Sequence, residues 1–414
     1  MKTTANISIL ILCASLLSFC TKPKAKNEVS IESSSASNKT IILAIDGGGI
    51  KGIIPAIIID SIEKSLGKSS YQLFDLIGGT STGGIISVAL TSKNDSTGKP
   101  FSGDEIVSIY QKDGSKIFVK QNAYYHATYY ASNYGKSGVE PYLRSMVGDT
   151  IKLTDNISFI KSLDSSRTKQ MFTTSYTVNS TGGAITNPVL GKDFGPYLFN
   201  WYDAKSSSGD DYYAWEAARG TSSAPTYFPI ANVGGGNSPR SSANERWVVD
   251  GGMMSNDPAV WGITEALRTG IAKELDDIIV ISIGTGLYNG GAGVGISNNT
   301  YGSLVDSIPS KGNWSETPWM INNLYDLEGT EKGRGTIINV ILDAVQLVTN
   351  SQLESFQKAG LTYYRLEPSL THAESAMDNI STANIDSLIS SVNNYLKTDG
   401  ATTFSEIITT LKSN

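Results

Sequence analysis

Histidine and cysteine are both scarce in this chain of 414 residues, and each scarcity excludes a class of site. The only two cysteines are Cys13 and Cys20, so the rest of the chain contains no disulfide and no thiolate metal site. The two histidines, His126 and His372, are too few for the histidine-rich arrangements that hold zinc. Because most side-chain general bases are histidines, a catalytic site in this chain has few to draw on.

Positive charge is also in short supply. Lys and Arg together number 33 against 39 Asp and Glu, which gives a formal net charge of −6. Binding to nucleic acid usually needs a basic face, so we expect no nucleic-acid partner. The same balance argues against tight binding to anionic membranes but not against contact with a neutral lipid interface. The apolar fraction of 40% is ordinary and allows one large α/β domain or two average ones.

The first twenty residues differ in character from the rest of the chain. Ile7 to Phe19 is mostly apolar, and its length fits a secretory signal and is short for a membrane-spanning helix. The segment ends at Cys20 and resembles a bacterial lipoprotein signal, in which the Cys is lipidated, although Phe19 is larger than the usual Gly or Ala. We therefore predict that residues 1–20 are a lipoprotein-type signal and that the protein is exported and anchored to a membrane. A secreted or periplasmic protein with an ordinary signal, or an uncleaved apolar N-terminus, is the alternative.

Residues 21–39 carry three lysines and a serine run, a composition that predicts a flexible tether. Beyond the tether, strand-like and helical patterns alternate. Strands are predicted at 41–45, 72–77, 171–178, 246–249 and 278–283, and helices at 53–66, 82–90, 214–219, 259–268, 337–357 and 380–396. This alternation predicts an α/β fold with a mostly parallel central sheet and helices on both faces. With no internal repeat and no later linker, residues 40–414 are predicted to form one domain.

The sequence Gly79-Thr80-Ser81-Thr82-Gly83 matches the G-x-S-x-G pattern of a nucleophile elbow. A nucleophilic serine must project from a sharp turn between a strand and a helix, and glycines two positions to either side relieve the crowding there. The pattern is common by chance, but here it lies between a predicted strand and a predicted helix, which is the context it requires. A spectator serine in a glycine-rich turn is the alternative.

A second glycine-rich turn, residues 47–52, follows the first predicted strand. It fits the G-x-G-x-x-G pattern of a dinucleotide site, although a carboxylate such as Asp46 is unhelpful beside a pyrophosphate. It also fits an oxyanion hole, because consecutive glycines leave backbone amides free to converge on a negative oxygen. The carboxyl ends of adjacent parallel strands would bring this loop next to Ser81.

Asp250 ends a predicted buried strand and is followed by Gly251 and Gly252. A carboxylate in this position can meet Ser81 at the same edge of the sheet and act as its base if it is desolvated. A simpler role would be to cap the turn. His126 and His372 are competing bases, but neither follows a buried strand.

Taken together and in order, these motifs resemble the patatin-like phospholipase family. The resemblance rests on residues 46–52, 79–83 and 250–252, with further similar stretches at 217–229, 256–258 and 282–286. It covers roughly residues 40–287, and nothing after residue 290 adds to it. The family's fold is a three-layer sandwich. Lys51 stands where the family usually has Arg, and the sequence leaves open whether a charge alone suffices there or a forked contact is needed.

The resemblance implies a Ser–Asp dyad with no catalytic histidine. Ser81 would be the nucleophile, Asp250 the base, and Gly47, Gly48 and Gly49 the oxyanion hole, with Lys51, Gly52, Gly79, Gly83, Gly251 and Gly252 as motif positions. The implied substrates are phospholipids, lysophospholipids or other acyl lipids, met at a membrane or lipid interface. No metal and no cofactor are expected, and the oligomeric state is left open. A carboxylesterase of the same fold acting on other esters and a nucleotide-binding protein are the rival functions.

One further question concerns Ile50, Ile53 and Ile54, which lie near the glycine loop. They could line a channel for an acyl chain, but a position in the plain hydrophobic core is the expectation.

Overall fold

The computed structural model describes residues 39–120, 132, 134–166, 169–180, 194–234, 245–288 and 337–414. Its strands are β1 (Thr40–Ile45), β2 (Leu76–Gly79), β3 (Gln170–Ser180), β4 (Gly195–Asn200), β5 (Ala231–Val233), β6 (Arg246–Asp250), β7 (Ile278–Ile283), β8 (Leu287–Tyr288), β9 (Thr362–Leu366) and β10 (Ser369–Leu370). Its helices are α1 (Ile53–Leu66), α2 (Ser70–Leu73), α3 (Thr82–Ala89), α4 (Gly103–Ile117), α5 (Lys136–Val147), α6 (Leu153–Leu163), α7 (Trp201–Ser206), α8 (Ala214–Thr221), α9 (Ala259–Arg268), α10 (Ile337–Lys358), α11 (Thr382–Tyr395) and α12 (Ala401–Ser413).

A central sheet organises these elements in the order β5-β6-β3-β2-β1-β7-β9, with β4 paired to β3 as well. The run β3-β2-β1-β7-β9 is parallel, whereas β4, β5 and β6 join it through antiparallel pairs. The predicted α/β fold with a mostly parallel sheet is confirmed. Among the described residues, no helix has the length and apolar character needed to cross a membrane.

Strand β1 shows why the sheet carries helices on both faces. Ile41, Leu43 and Ile45 belong to a buried cluster with residues of α1, α4, α11 and α12. Ile42 and Ala44, which alternate with them, belong to another cluster with residues of α9 and α10. Because side chains alternate across a strand, a strand buried on both faces must be apolar at every position. The continuous apolar run of β1 therefore specifies a central strand in a three-layer sandwich.

The predicted strand at 72–77 is wrong in its first four residues. Residues 70–73 form the short helix α2, and the strand β2 starts at Leu76 and continues through Gly79. The helix begins with a capping box, in which the Ser69 amide donates to the Gln72 side chain at 3.0 Å. This local signal for a helix start outweighs the short apolar stretch that suggested a strand.

Strand β3 carries two partners along the same edge. Its first part pairs in parallel with β2, and the last of these pairs is Gly79 with Thr173. Its second part pairs antiparallel with β6, and the first of these pairs is Asp250 with Ser175. Strands β2 and β6 therefore run toward each other along β3, and their carboxyl ends meet. The residues that follow Gly79 thus lie opposite Asp250.

Candidate active site

Ser81 occupies the turn between β2 and α3 in a backbone conformation that side-chain-bearing residues rarely adopt, with φ of 53° and ψ of −120°. Such a conformation is strained, at a cost of about 1–3 kcal/mol, and persists only where its surroundings impose it. Two hydrogen bonds impose it here. The Thr80 amide donates to the Ile45 carbonyl at 3.0 Å, and the Ser81 amide donates to Oγ1 of Thr221 at 2.9 Å.

The two glycines of the elbow are needed because the chain folds back on itself. A Cβ at Gly79 would lie 2.1 Å from the Gly83 carbonyl oxygen, and a Cβ at Gly83 would lie 2.1 Å from the Ile45 carbonyl oxygen. Neither clash can be relieved by moving a flexible side chain. The spacing of the motif therefore follows from the close approach of α3 to the ends of β1 and β2.

The glycine loop lies directly against Ser81. A Cβ at Gly47 would be 2.6 Å from Oδ1 of Asn256 and 3.2 Å from the Cβ of Ser81, so a larger residue would crowd both side chains. The Gly47 amide donates to the Asn256 carbonyl at 3.2 Å, and its own carbonyl accepts from Thr285 Oγ1 at 2.7 Å. Among the described residues, no acceptor is found for the amides of Gly48 and Gly49. Those two amides remain available to a bound ligand.

The close packing of Gly48 and Gly49 explains why they are glycines. A Cβ at Gly48 would lie 2.2 Å from Thr285 Oγ1, and one at Gly49, where φ is +62°, would lie 2.2 Å from the Met377 carbonyl oxygen. In a dinucleotide site, by contrast, glycines let the phosphates approach. Here protein atoms fill that space. Gly52 is restricted in the same way, since its Cβ would lie 2.3 Å from Oγ1 of Thr82.

Asp250 is buried at the end of β6, and its two oxygens have different surroundings. Oδ1 accepts a hydrogen bond from the Gly252 amide at 2.7 Å, so Asp250 does cap the turn that follows it. Gly251 allows the turn, because a Cβ there would lie 2.0 Å from Oγ1 of Thr174. Oδ2 is buried and has no aligned hydrogen-bond partner among the described residues. One oxygen of this carboxylate thus stabilises the turn, and the other accepts no hydrogen bond from the described residues.

Burial raises the pKa of Asp250 to about 6 from its ordinary value of 3.8. The Ser81 hydroxyl, the Gly252 amide and the charge of Arg219 each oppose this rise. Ser81 is therefore close enough to stabilise the charged carboxylate, although its hydroxyl makes no aligned hydrogen bond to Oδ2. Contacts between nucleophile and base are often loose in this way before substrate binds. A carboxylate with a pKa near 6 is a far better base than an exposed aspartate.

Arg219 is a buried cation behind Asp250. Its side chain is 1% exposed, and it donates to Ser223 Oγ at 2.5 Å and to the Pro229 carbonyl at 2.7 Å. It forms an ion pair with Glu140 at 3.4 Å. Arg219 therefore fixes the loop after α8, whose Ser223 carbonyl accepts the Asp250 amide at 3.1 Å.

A second buried ionic cluster holds the base of the glycine loop. Both oxygens of Asp46 accept from the Arg365 guanidinium, at 2.9 and 2.6 Å. Arg365 also donates to Asp257 at 3.3 Å and to Glu367 at 3.1 Å. Asp46 and Asp257 are 2% and 0% exposed, so Arg365 supplies most of their neutralisation. Arg365 thus links Asp46, which precedes the glycine loop, to Asp257. Asp257 follows Asn256, the residue that binds that loop.

Lys51 acts on the same cluster through its charge. Burial lowers the pKa of Lys51 below its ordinary value, and the nearby charges of Glu367 and Asp46 offset this only in part. The forked contact to Asp46 comes from Arg365 on β9, and the described residues show no ion pair for Lys51. In this chain the planar, bidentate contact and the additional charge are therefore provided by two different residues.

An apolar cavity opens beside Ser81. From α3 it is lined by Thr82, Ile85, Ile86 and Ala89, which lie on one face of the helix. The rest of its lining is mostly apolar side chains from α4, α5 and the loop after α8, together with Met377. The isoleucines at 50, 53 and 54 do not line it but are buried in the core, as expected.

The structure brings Ser81, Asp250 and the glycine loop together, as the sequence predicted. His126 and Cys20 lie outside the described residues, and His372 begins a short 3-10 turn after β10. Arg365 and Met377 were missed, because they lie beyond the motifs and no local pattern marks them. Thr221, Asn256 and Thr285 lay within quoted motifs, but only their contacts reveal what they do.

The fold and the site define a three-layer α/β/α sandwich with a serine at a nucleophile-elbow turn and a buried carboxylate beside it. A family model described as patatin-like phospholipase matches residues 43–260, more than half of the chain, and the chain belongs to this family. Membership in this family supports lipid acyl hydrolase activity as the general type of reaction.

Three relatives illustrate the similarity. Patatin-like protein 4 of Arabidopsis thaliana is 27% identical over 85% of this chain and 82% of the relative. Patatin group D-2 of Solanum tuberosum is also 27% identical, over 86% of this chain and 83% of the relative. Patatin-like protein 3 of Arabidopsis thaliana is 30% identical, over 59% of this chain and 58% of the relative. The first two alignments extend well beyond residues 43–260.

Replacing Arg365 by Met should destabilise the fold by about 3–5 kcal/mol, because it leaves buried carboxylates without a counter-charge. Arg365→Lys keeps the charge but loses the forked contact to Asp46, so the loss of stability should be smaller. Urea unfolding monitored by circular dichroism would measure both. An equal loss in the two variants would show that shape rather than charge matters at this position.

Proposed function

We propose that this protein hydrolyses fatty acyl esters of lipids, as a phospholipase A or lysophospholipase, through a Ser81–Asp250 dyad. The observation that carries the proposal is the strained serine, which stands between a buried carboxylate with an unused oxygen and an apolar cavity. The carboxylate supports proton abstraction. The apolar lining of the cavity favours an acyl chain, rather than a polar group, as the part of the substrate that binds there.

In the proposed reaction, Oδ2 of Asp250 takes the proton from Ser81 as its Oγ attacks the ester carbonyl. The carbonyl oxygen becomes negative, and the amides of Gly48 and Gly49 stabilise it. Gly47, expected to be a third donor, instead gives its amide to the Asn256 carbonyl at 3.2 Å, so its part in the proposed hole is to pack against Ser81 beside the two free amides. Asp250 then returns the proton to the leaving alcohol, and an acyl-enzyme remains. A water molecule activated by Asp250 releases the fatty acid.

Two variants test the dyad. Ser81→Ala removes the attacking oxygen and should lower kcat/KM about a thousandfold or more. Asp250→Asn retains an oxygen for the Gly252 amide but cannot accept the proton, and should lower kcat/KM about a hundredfold to ten-thousandfold. Hydrolysis would be measured on phospholipid vesicles and on soluble esters, with Ser158→Ala and Asp95→Asn as surface controls. Near-normal turnover in either site variant would refute the assignment.

The same assays separate the rival functions. A carboxylesterase of this fold acting on other esters would hydrolyse short soluble esters faster than phospholipid vesicles. The apolar cavity argues against this rival function. A nucleotide-binding protein would bind a dinucleotide saturably and resist a serine-reactive phosphonate. The packing of Thr285 and Met377 against Gly48 and Gly49 argues against that rival, because it accounts for both glycines without a ligand.

Activity should depend on pH through Asp250. The base acts only when ionised, and its pKa is raised by burial to about 6. Lowering the pH below 6 protonates it, so kcat/KM should fall about tenfold per unit below 6 and level off above it. The residual activity of Asp250→Asn should lack this acid limb. A limb that persists in this variant would belong to another group.

We also propose that the protein is exported and anchored to a membrane by lipid on Cys20, with residues 21–39 as a tether. The support is the apolar segment that ends at Cys20, since a membrane-attached enzyme would meet its lipid substrates at the same interface. Expressed in a bacterium that processes lipoproteins, the full chain should partition with membranes, and Cys20→Ser should release it. Equal partitioning of both forms would contradict the anchor.

A further inference from the structure

The segment between β10 and α11, residues 371–381, lies against the glycine loop. The Met377 carbonyl accepts the Ile50 amide at 2.8 Å, and it would lie 2.2 Å from a Cβ at Gly49. The family match ends at residue 260, so this contact comes from a part of the chain outside it. The proposed oxyanion hole therefore touches a segment that the dyad mechanism does not use.

The contact with Met377 is one of two that bracket the proposed oxyanion hole. On one side the Gly47 amide donates to the Asn256 carbonyl at 3.2 Å. On the other side the Ile50 amide donates to Met377. The two amides between them, which have no acceptor among the described residues, are the donors of the proposed hole. Because glycine backbones rotate more freely than others, the loop needs such contacts to keep these donors in one orientation before the reaction begins.

The ends of the 371–381 segment are anchored on α11. Glu374, which is 2% exposed, accepts from the hydroxyls of two serines of α11 at 2.7 Å each. Ser381 caps the first turn of α11 through its own hydroxyl. Between these anchors, residues 375–379 belong to no helix or strand. The middle of the segment, where Met377 lies, is therefore left to be fixed by other contacts.

Asp378 provides such a contact. Its Oδ2 accepts a hydrogen bond from the Tyr134 hydroxyl at 2.9 Å. Tyr134 is itself fixed, because its amide donates to the Tyr227 carbonyl at 2.7 Å. Its ring packs against Phe118 and Phe228, with centroid distances of 5.2 and 5.6 Å. Burial, and after it the neighbouring Asp378, raise the pKa of the Tyr134 hydroxyl, which therefore stays protonated and able to donate throughout the pH range of an assay.

We propose that Tyr134 and Asp378 are positioning residues of the oxyanion hole, which act on its two glycine amides through the Met377 carbonyl. The proposal rests on the proposed function, since those amides matter to catalysis only if an ester oxygen becomes negative beside them. Without the hydroxyl of Tyr134, the turn that contains Met377 loses an anchor, and the Ile50 amide is held less firmly. The loss should weaken stabilisation of the transition state and leave binding of the substrate unchanged.

The test compares kcat and KM for p-nitrophenyl octanoate among variants of this hydrogen bond. Tyr134→Phe and Asp378→Ala should each lower kcat about tenfold or more with KM nearly unchanged, because they misalign donors that act only in the transition state. Asp378→Asn keeps an oxygen that can accept from the tyrosine, so it should stay near the wild type. The double variant Tyr134→Phe with Asp378→Ala should be no slower than the slower single variant, because both changes remove one interaction.

Two inhibitors separate this role from a general structural defect. Ser81 adds to a trifluoromethyl alkyl ketone, its proton passes to Asp250, and the ketone oxygen becomes negative in the hole. A primary alkanol with the same chain fills the cavity without a negative oxygen. Affinity for the ketone should fall in parallel with kcat, whereas affinity for the alkanol should not change. Tyr197→Phe is the matched control, since it removes a tyrosine hydroxyl that donates to Asp210 at 2.7 Å, and it should leave kcat and both affinities unaltered.

Unchanged kcat in Tyr134→Phe and Asp378→Ala, with hydrolysis still lost in Ser81→Ala, would overturn the positioning role and leave the proposed function standing. Equal weakening of the ketone and the alkanol would also overturn it, because the effect would then belong to the cavity. Hydrolysis by the wild type that does not depend on Ser81 would overturn the proposed function and the positioning role together. If Tyr134→Phe does not fold, Asp378→Ala decides, since the side chain it removes is only half-buried.

Discussion

One edge of β3 holds two strands that run toward each other, and the site depends on this constraint. Strand β2 arrives in parallel and β6 antiparallel, so their carboxyl ends meet between Thr173 and Ser175. A purely parallel sheet would instead place the carboxyl ends of neighbouring strands side by side at one edge. The meeting of two ends brings a serine and an aspartate together although they are far apart in sequence. The carboxylate is buried there, whereas Ser81 is only half-buried.

The site combines conformations and charges that a stable fold would otherwise avoid. Ser81 is strained, and Asp250 is buried with one oxygen that has no hydrogen-bond partner among the described residues. A rise in pKa from 3.8 to about 6 corresponds to a cost of about 3 kcal/mol for keeping this carboxylate ionised in the folded protein near neutral pH. The cost is absent below pH 3.8, where the group is protonated in both states, and it is complete above 6. The surrounding sheet, apolar from Ile41 to Ile45 in β1, supplies the stability that offsets it.

The segment beyond the family match contributes directly to the site. Arg365 neutralises Asp46 and Asp257, and the Met377 carbonyl accepts the Ile50 amide at 2.8 Å over the glycine loop. Arg365 reaches the site because β9 extends the parallel sheet beside β7, and Met377 reaches it from the loop before α11. The glycine loop is therefore held from two sides by parts of the chain that no motif marks. Buried carboxylates make such an attachment specific, since they require a cation in a defined position.

Much of this protein was accessible from its sequence. The apolar run of β1, the alternation of strands and helices and the glycines around Ser81 are local patterns, and local patterns report on nearby sterics and periodicity. They predicted the central strands of the sheet, half of the described helices and the candidate residues Ser81, Asp250 and Gly47 to Gly49. The strand predicted at residues 72–77 failed where a capping box competed with it.

Only the tertiary structure decided the rest, because it depends on contacts between distant segments. The antiparallel entry of β6 is a property of pairing, and no periodicity within residues 246–250 distinguishes it from a parallel strand. The pKa of Asp250 depends on burial by elements elsewhere in the chain. The partnership of Arg365 with Asp46 spans more than three hundred residues. The sequence by itself determined which residue types could act, and the packing of the sheet determined which of them meet.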